Sequence, residues 1–316
     1  MEPIIFQPRY QTRIWGGHEL EKTFARALPD DQPYGESWEL SDRENEESLV
    51  TEGDYSGQSL HELWTEKRVE IFGFAFKNHP AARFPLLIKI LDARDDLSIQ
   101  VHPPTEIAEE LGGEPKTEMW FIADRDPGAK LYVGLKNGVT REEFEKSIFA
   151  GSVAEKVHVI EPDVGESIFI PSGRLHAIGA GFLIFEIQQN SDTTYRVFDW
   201  NRLGIDGHPR QLHVEKSLAS IDFNDFEPEM DRPHDGTLAA CEFFRVDRVA
   251  AEKKEKITLP DSERFAIIAV VSGQLVSEKG RKFNKGDFLL LPARSAPLIC
   301  AVKSEILAIW IADEAK

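Results

Sequence analysis

The segment Leu97-Ser98-Ile99-Gln100-Val101-His102-Pro103 carries the first chemistry that the chain offers. In an extended strand, residues two apart project from one face, so Ser98, Gln100 and His102 point together while Ile99 and Val101 turn to apolar packing. Glu118 opens the strand-like run Glu118-Met119-Trp120-Phe121-Ile122, after the turn-like Gly112-Gly113-Glu114-Pro115. His176 follows Pro171-Ser172-Gly173-Arg174-Leu175, where Pro and Gly set a tight turn just before the imidazole. Gln100, His102, Glu118 and His176 together supply two imidazoles, a carboxylate and an amide oxygen, a mixed N/O set suited to a divalent transition metal. With no thiolate in the set, zinc, manganese, iron, cobalt and nickel are all open on chemical grounds. An amide ligand with room for water fits an open, working site better than a closed structural one.

The elements that must position these groups are mostly strands. Short β-branched or aromatic runs at 85–91, 118–122, 130–133, 166–170 and 182–187 are bounded by Gly, Pro or Asp. Helical patterns decorate them at Ser59 to Phe72, Thr105 to Leu111, Thr140 to Phe149 and Gln211 to Ile221, the third opened by a Thr cap with Glu143 three residues later. Asn224 to Thr237 is acidic, rich in Pro and Asp and without periodicity, which predicts a linker. The expected organisation is therefore a catalytic domain over 1–223, a linker over 224–237 and a smaller β domain over 238–316. Further strands are expected in the last part at 257–259, 265–271, 286–292, 298–302 and 306–311. There Gly286-x5-Pro292 repeats the spacing of Gly165-x5-Pro171, so the fold class expected is mainly β: two related antiparallel jelly-roll barrels in tandem, with helical insertions. The second barrel places Arg294 where the first has Gly173 and Pro297 where it has His176, and no His follows His234, so it should bind no metal.

Composition narrows the partners. The chain has 316 residues and a formal charge of -18, which argues against nonspecific nucleic-acid binding or an anionic membrane surface, since both need a basic field. No window approaches 18 uninterrupted apolar residues, and the start lacks a basic, apolar, small-residue leader pattern. Cys241 and Cys300 sit among apolar neighbours and read as reduced, buried thiols, so the compartment expected is the cytoplasm. Trp15, Trp38, Trp64 and Trp120 read as packing residues, and His18, His61, His79, His158, His208, His213 and His234 lack a partner at ligand spacing.

Gln100-x-His102, then Glu118, then Gly165-x5-Pro171-x-Gly173-x2-His176, resembles the two-motif pattern of the cupin superfamily. The resemblance sharpens through Ile14-Trp15-Gly16-Gly17, Gly35-Glu36-Ser37-Trp38, Lys116-Thr117-Glu118 and the run Gln188 to Asp199, which are similar to the type I mannose-6-phosphate isomerases in their short bacterial form. That likeness implies a zinc-dependent aldose-ketose isomerase, one Zn2+ per chain, interconverting mannose 6-phosphate and fructose 6-phosphate through an enediolate. By position it puts Gln100, His102, Glu118 and His176 on the metal ligands and Arg196 on the active-site arginine. Asp192 and Glu186 fall on acidic residues of the pocket, and Ser98 and Lys116 on positions associated with the substrate phosphate. Such an isomerisation needs a base at C2, an oxyanion stabiliser and a clamp on the distal phosphate. Arg196 suits an oxyanion or a phosphate oxygen, whereas the base stays open among Glu186, Asp192 and a water on the metal. Two rival readings are a non-catalytic metal-binding cupin that senses a sugar phosphate and an isomerase of another phosphosugar.

Overall fold

A computed structural model describes residues 1–204, 206–257 and 261–312. Its first half contains β1 (Arg9–Gly17), β2 (Tyr34–Leu40), β3 (Leu86–Ala93), β4 (Ile99–Val101), β5 (Glu118–Arg125) and β6 (Leu131–Leu135). These continue with β7 (Val157–Ile160), β8 (Ser167–Ile170), β9 (His176–Ile178), β10 (Phe182–Gln189) and β11 (Tyr195–Phe198). They form two antiparallel sheets, in the orders β1-β2-β3-β10-β5-β8 and β11-β4-β9-β6-β7. The second half holds β12 (Thr237–Ala240), β13 (Phe244–Ala251), β14 (Lys256–Ile257), β15 (Ala266–Ser272), β16 (Gln274–Val276), β17 (Lys282–Asn284), β18 (Phe288–Leu291), β19 (Leu298–Cys300) and β20 (Ser304–Ile311). Its sheets run β12-β13-β20-β15-β18 and β14-β19-β16-β17, which repeat β2-β3-β10-β5-β8 and β4-β9-β6-β7 strand for strand. The fold is thus mainly β, a tandem of cupin-type jelly rolls. Of the expected strand 257–259, Ile257 lies in β14, while Thr258 and Leu259 fall outside the described residues.

The repeat extends to backbone conformation. Gly165 and Gly286 open equivalent turns at φ +88° and +86°, and Arg294 adopts φ +59° where Gly173 has +91°. A side chain in this left-handed region costs roughly 1–2 kcal/mol, so the turn is retained in the second copy despite the loss of its glycine.

The three central strands show how the sequence places a polar site inside an apolar sandwich. Along β10, Phe182 and Ile184 enter the core between the first two sheets, and Leu183, Phe185 and Ile187 enter the core behind them. Both faces are buried, so the run is apolar throughout until Glu186 and Gln188 replace the inward hydrophobes at one end. Neighbouring strands make the same exchange at the same level, since Glu186 lies opposite Lys89 of β3 and Gln188 opposite Glu118 of β5.

Helices cover the outer surfaces. Capping boxes at Ser59 and Thr140 start α1 (Leu60–Glu66) and α2 (Arg141–Ala150), the latter as expected. The helix expected to Phe72 instead ends at Glu66 and continues as a π-turn, Arg68–Phe72, which buries Ile71 and Phe72 completely. A third helix, α3 (Val214–Ser220), packs with α2 over the outer face of the sheet containing β4 and β9. Residues 224–237 run along the first half: Asp225 pairs with Arg174 at 2.8 Å and Asp231 N–H donates to the Ser167 carbonyl. Cys300 is buried, whereas Cys241 is only half-buried, and neither is in a disulfide. Among the described residues no helix is long and apolar enough to cross a membrane.

Candidate active site

Alternation in β4 does what its sequence predicts. Ile99 and Val101 join the apolar cluster under α2 and α3, and Gln100 and His102 face inward. Gln100 lies directly opposite His176 of β9, and Glu118 reaches the same point from the facing sheet. His102 Nε2 is 3.6 Å from Glu118 Oε2, His176 Nε2 is 3.7 Å from Glu118 Oε1, and the three residues are 0–1% exposed. Each imidazole donates its Nδ1–H to a backbone carbonyl, His102 to Thr193 at 2.8 Å and His176 to Arg174 at 2.9 Å. That fixes the tautomer and turns both Nε2 lone pairs toward the carboxylate.

This arrangement fits a metal ion. His102 Nε2 and Glu118 Oε1 are buried without a hydrogen-bond partner, a costly state that a cation between them would relieve. The protonation states also match. Burial, with Lys116 nearby, pushes His102 down to about 3, and burial lowers His176, so both rings are neutral. Burial raises Glu118, but the Lys116 ammonium at 2.9 Å outweighs it and holds the carboxyl well below its ordinary value. Two neutral imidazoles and an ionised carboxylate are what a divalent ion requires of its ligands. The Gln100 amide nitrogen lies 3.4 Å from His176 Nε2 while its Oε1 accepts from Ser98 Oγ at 3.2 Å, so this side chain borders the cluster.

From this cluster a cleft of about 320 Å³ opens outward, lined by Ser98, Gln100, Lys116, Glu186, Asp192 and Arg196. Of the site residues expected from the sequence, these six line the cleft, while His102, Glu118 and His176 form the cluster that Gln100 and Lys116 border. Glu186 is 5% exposed, accepts from Trp120 Nε1 at 3.3 Å and faces Lys89 at 3.4 Å and Lys116 at 4.0 Å. Burial raises its carboxyl against the pull of Lys116. Lys116 Nζ sits 2.9 Å from Glu118 Oε2, and its ammonium is held charged, above its ordinary value, because Glu118 and Glu186 outweigh burial. Asp192 is exposed at the rim. Arg196 donates from Nε to Ser98 Oγ at 3.2 Å and from Nη1 to the Gln211 carbonyl at 3.0 Å.

Sequence reasoning missed Lys89, Glu36, Arg13 and Arg210, which share the cleft, and set aside His213, which lines it without being a ligand. Lys89 carried a usable signal, a lone cation inside the apolar run Leu86–Ala93. Trp120 does more than pack, because its ring edge meets His176 at 5.4 Å while its N–H holds Glu186.

Residues 4–134 match the family described as phosphomannose isomerase type I, catalytic domain. The mannose-6-phosphate isomerase ManA of Bacillus subtilis is 38% identical over 304 residues, which span 92% of this chain and 93% of that protein. A mannose-6-phosphate isomerase of Streptococcus mutans is 36% identical over 92% of each chain. Among solved structures, the crystal structure of the mannose 6-phosphate isomerase from Bacillus subtilis superposes with a TM-score of 0.87 at 32% identity, covering 98% of this chain and 100% of that one.

Proposed function

The chain belongs to the type I phosphomannose isomerase family, and from that premise we propose that it interconverts mannose 6-phosphate and fructose 6-phosphate. The observation that carries this reading is a single cleft joining a three-residue ligand cluster, a buried carboxylate beside it and a guanidinium toward solvent. Gln100, His102, Glu118 and His176 would hold the metal, which we take to be zinc, and when bound it supplies positive charge to sugar oxygens that become negative.

Glu186 is the residue we assign to proton transfer. Its carboxyl lies inside the cleft and burial raises it, which favours taking a proton from C2 and returning it to C1. The C2–H electron pair becomes the enediolate double bond, and exchange of the hydroxyl proton between O2 and O1 completes the isomerisation. Lys89 and Lys116 flank this carboxylate and compensate its charge. Lys116 was expected at the phosphate. Its ion pair with Glu118 at 2.9 Å instead supports a place beside the reacting end of the sugar. Asp192, at the rim, is a further carboxylate of the cleft lining and the one we place beside the sugar hydroxyls. Arg196 has no carboxylate partner among the described residues, so its charge is available to a substrate anion, with Ser98 Oγ beside it.

The test is turnover of mannose 6-phosphate by the purified protein, before and after chelation and again after zinc is restored, with metal quantified in the same samples. Activity should fall with metal content and return with zinc. Stoichiometric metal without turnover of this sugar would refute the proposal and favour a phosphosugar-binding cupin or an isomerase of another phosphosugar.

A further inference from the structure

The ligand cluster draws on two sheets. His102 follows β4 and His176 opens β9 in the five-stranded sheet, whereas Glu118 opens β5 in the six-stranded one. Because these strands belong to separate sheets, the gap between His102 and Glu118 is set by the segments that join them. One is 190–194, which crosses from β10 of the first sheet to β11 of the second, and the other is 102–117, which crosses from β4 to β5.

The two segments meet at Thr193. Its carbonyl accepts the His102 Nδ1–H at 2.8 Å, and its Oγ1 accepts the Glu114 N–H at 2.9 Å. Its own N–H donates to Ser191 Oγ at 3.2 Å, and that hydroxyl donates to the Glu114 carbonyl at 3.3 Å. The turn before Glu114 fits closely against it, since a Cβ on Gly113 would lie 2.7 Å from Thr193 Cγ2 and 2.5 Å from the Tyr195 hydroxyl. Thr193 therefore holds the imidazole of one ligand and the stretch of chain that leads, four residues on, into the other.

Arg43, in the segment after β2, joins the same two pieces from outside. Its Nη1 donates to the Asn190 carbonyl at 2.9 Å and to Glu114 Oε2 at 2.8 Å. Asn190 is fixed in turn, its Nδ2 donating to the carbonyls of Asp42 at 2.9 Å and Phe84 at 3.0 Å and its N–H to that of Pro85 at 2.9 Å. Glu114 is exposed, so the ion pair alone contributes little. What Arg43 adds is one donor group shared by both segments, which keeps them in register. Arg43 and Thr193 are not among the residues lining the cleft, so their role is toward the ligands and not toward the sugar.

We propose that Thr193 and Arg43 are positioning residues for a divalent transition-metal ion: Thr193 couples the orientation of His102 to the path of the chain entering Glu118, and Arg43 holds that coupling in place. The effect falls on how tightly and in what geometry the ion is held, because contacts of this outer kind orient the ligands themselves. This rests on the metal-binding part of the isomerase reading and extends it to residues that touch neither metal nor substrate.

The experiment uses the full chain, stripped of metal and reloaded with cobalt(II) or zinc. Two quantities are read: the dissociation constant by competition with a chelator, and the visible absorption of the bound cobalt, which reports its coordination geometry. Arg43→Met and Thr193→Val should each weaken metal binding by about 10- to 100-fold and alter the cobalt bands. Arg43→Lys should recover part of the loss, since an ammonium can still donate to the Asn190 carbonyl. General loosening of the fold would instead lower the urea midpoint of the metal-free chain and leave the bands of bound cobalt as in the parent. Should Thr193→Val fail to fold, the two Arg43 variants decide the matter. Parental affinity and parental bands in Arg43→Met would overturn the assignment. A parent chain that takes up no cobalt would refute the metal reading and this proposal with it. Metal binding that responds to Arg43, without turnover of mannose 6-phosphate, would keep the positioning role and refute the isomerase reading.

Discussion

Glu36 and Glu186 share one cleft and one neighbour, Lys89, yet their carboxyls are driven in opposite directions. Both are buried, which raises them, but Glu36 also has Arg13 at 2.9 Å and the Trp38 N–H at 2.6 Å, and with Lys89 these bring it down to about 2. Glu186 has its nearest cation at 3.4 Å and feels Glu118 and Glu36 as well, so burial prevails and the carboxyl is raised. The first suits a fixed charge and the second a proton carrier. Glu186→Gln should accordingly lower kcat by about 10²- to 10⁴-fold with metal retained, and Asp192→Asn by less than about tenfold. If steady-state kinetics give the larger loss to Asp192→Asn, the rim carboxylate carries the proton instead. Glu36 makes a separate prediction about stability. A carboxyl lowered from 4.5 to about 2 stabilises the fold fully above the unfolded value and loses that contribution as the pH falls toward 2, an effect on the order of 3 kcal/mol. Denaturant titrations at pH 6 and pH 3 should show a smaller acid-induced loss for Glu36→Gln than for the parent, alongside lower stability at pH 6. Equal acid losses would mean that Glu36 is not held in this way.

At the level of elements, β1 brings Arg13 and Trp15 to the cleft wall, and it can do so only because Gly16 lets it approach β2 closely. A Cβ on Gly16 would lie 2.3 Å from the Gly35 backbone nitrogen, so Gly16→Ala must part the two strands. Overpacking of this kind costs about 1–3 kcal/mol, and denaturant unfolding of Gly16→Ala should show a loss in that range together with a raised KM. Unchanged stability would mean that the strands separate freely. The same strands mark where the sequence stops being readable. Gln100, His102, Glu118 and His176 are legible because two-residue alternation in β4 and turn chemistry before His176 are local signals. Neither β1 nor β2 shows itself as a strand, because Arg13 and Glu36 take inward positions that a simple sandwich would fill with hydrophobes, and the alternation is broken. The helix expected from Gln211 begins only at Val214, and the residues before it are bonded to Arg196 instead, the Gln211 carbonyl to its Nη1 and the His213 N–H to its carbonyl, contacts across 15 and 17 residues that periodicity does not contain. Lys89 escaped for a related reason, since its two carboxylate partners come from β2 and β10.

For the molecule as a whole, the repeat Gly-x5-Pro announced two related sandwiches, but not that their backs share one core. Runs such as 182–185 and 266–271 are apolar on both faces, which signals double burial without naming what covers the second face. The cover is the other half: Phe185 of β10 meets Phe288 of β18 with ring centroids 5.0 Å apart, and Phe169 meets Phe244 at 6.3 Å. Helical insertions join the same core, Phe72 lying 4.9 Å from Phe265. Because Phe185 is the residue before Glu186, opening this seam would disturb the strand that carries the proposed proton carrier. The two halves should therefore unfold together. Calorimetry of the parent is expected to give one transition that coincides with loss of activity, and Phe288→Ala should move that single transition down by an amount equivalent to about 3–5 kcal/mol. Two separated transitions, with activity surviving the first, would instead mean that the site-bearing half stands alone and that the shared core contributes little to holding Glu186 in place.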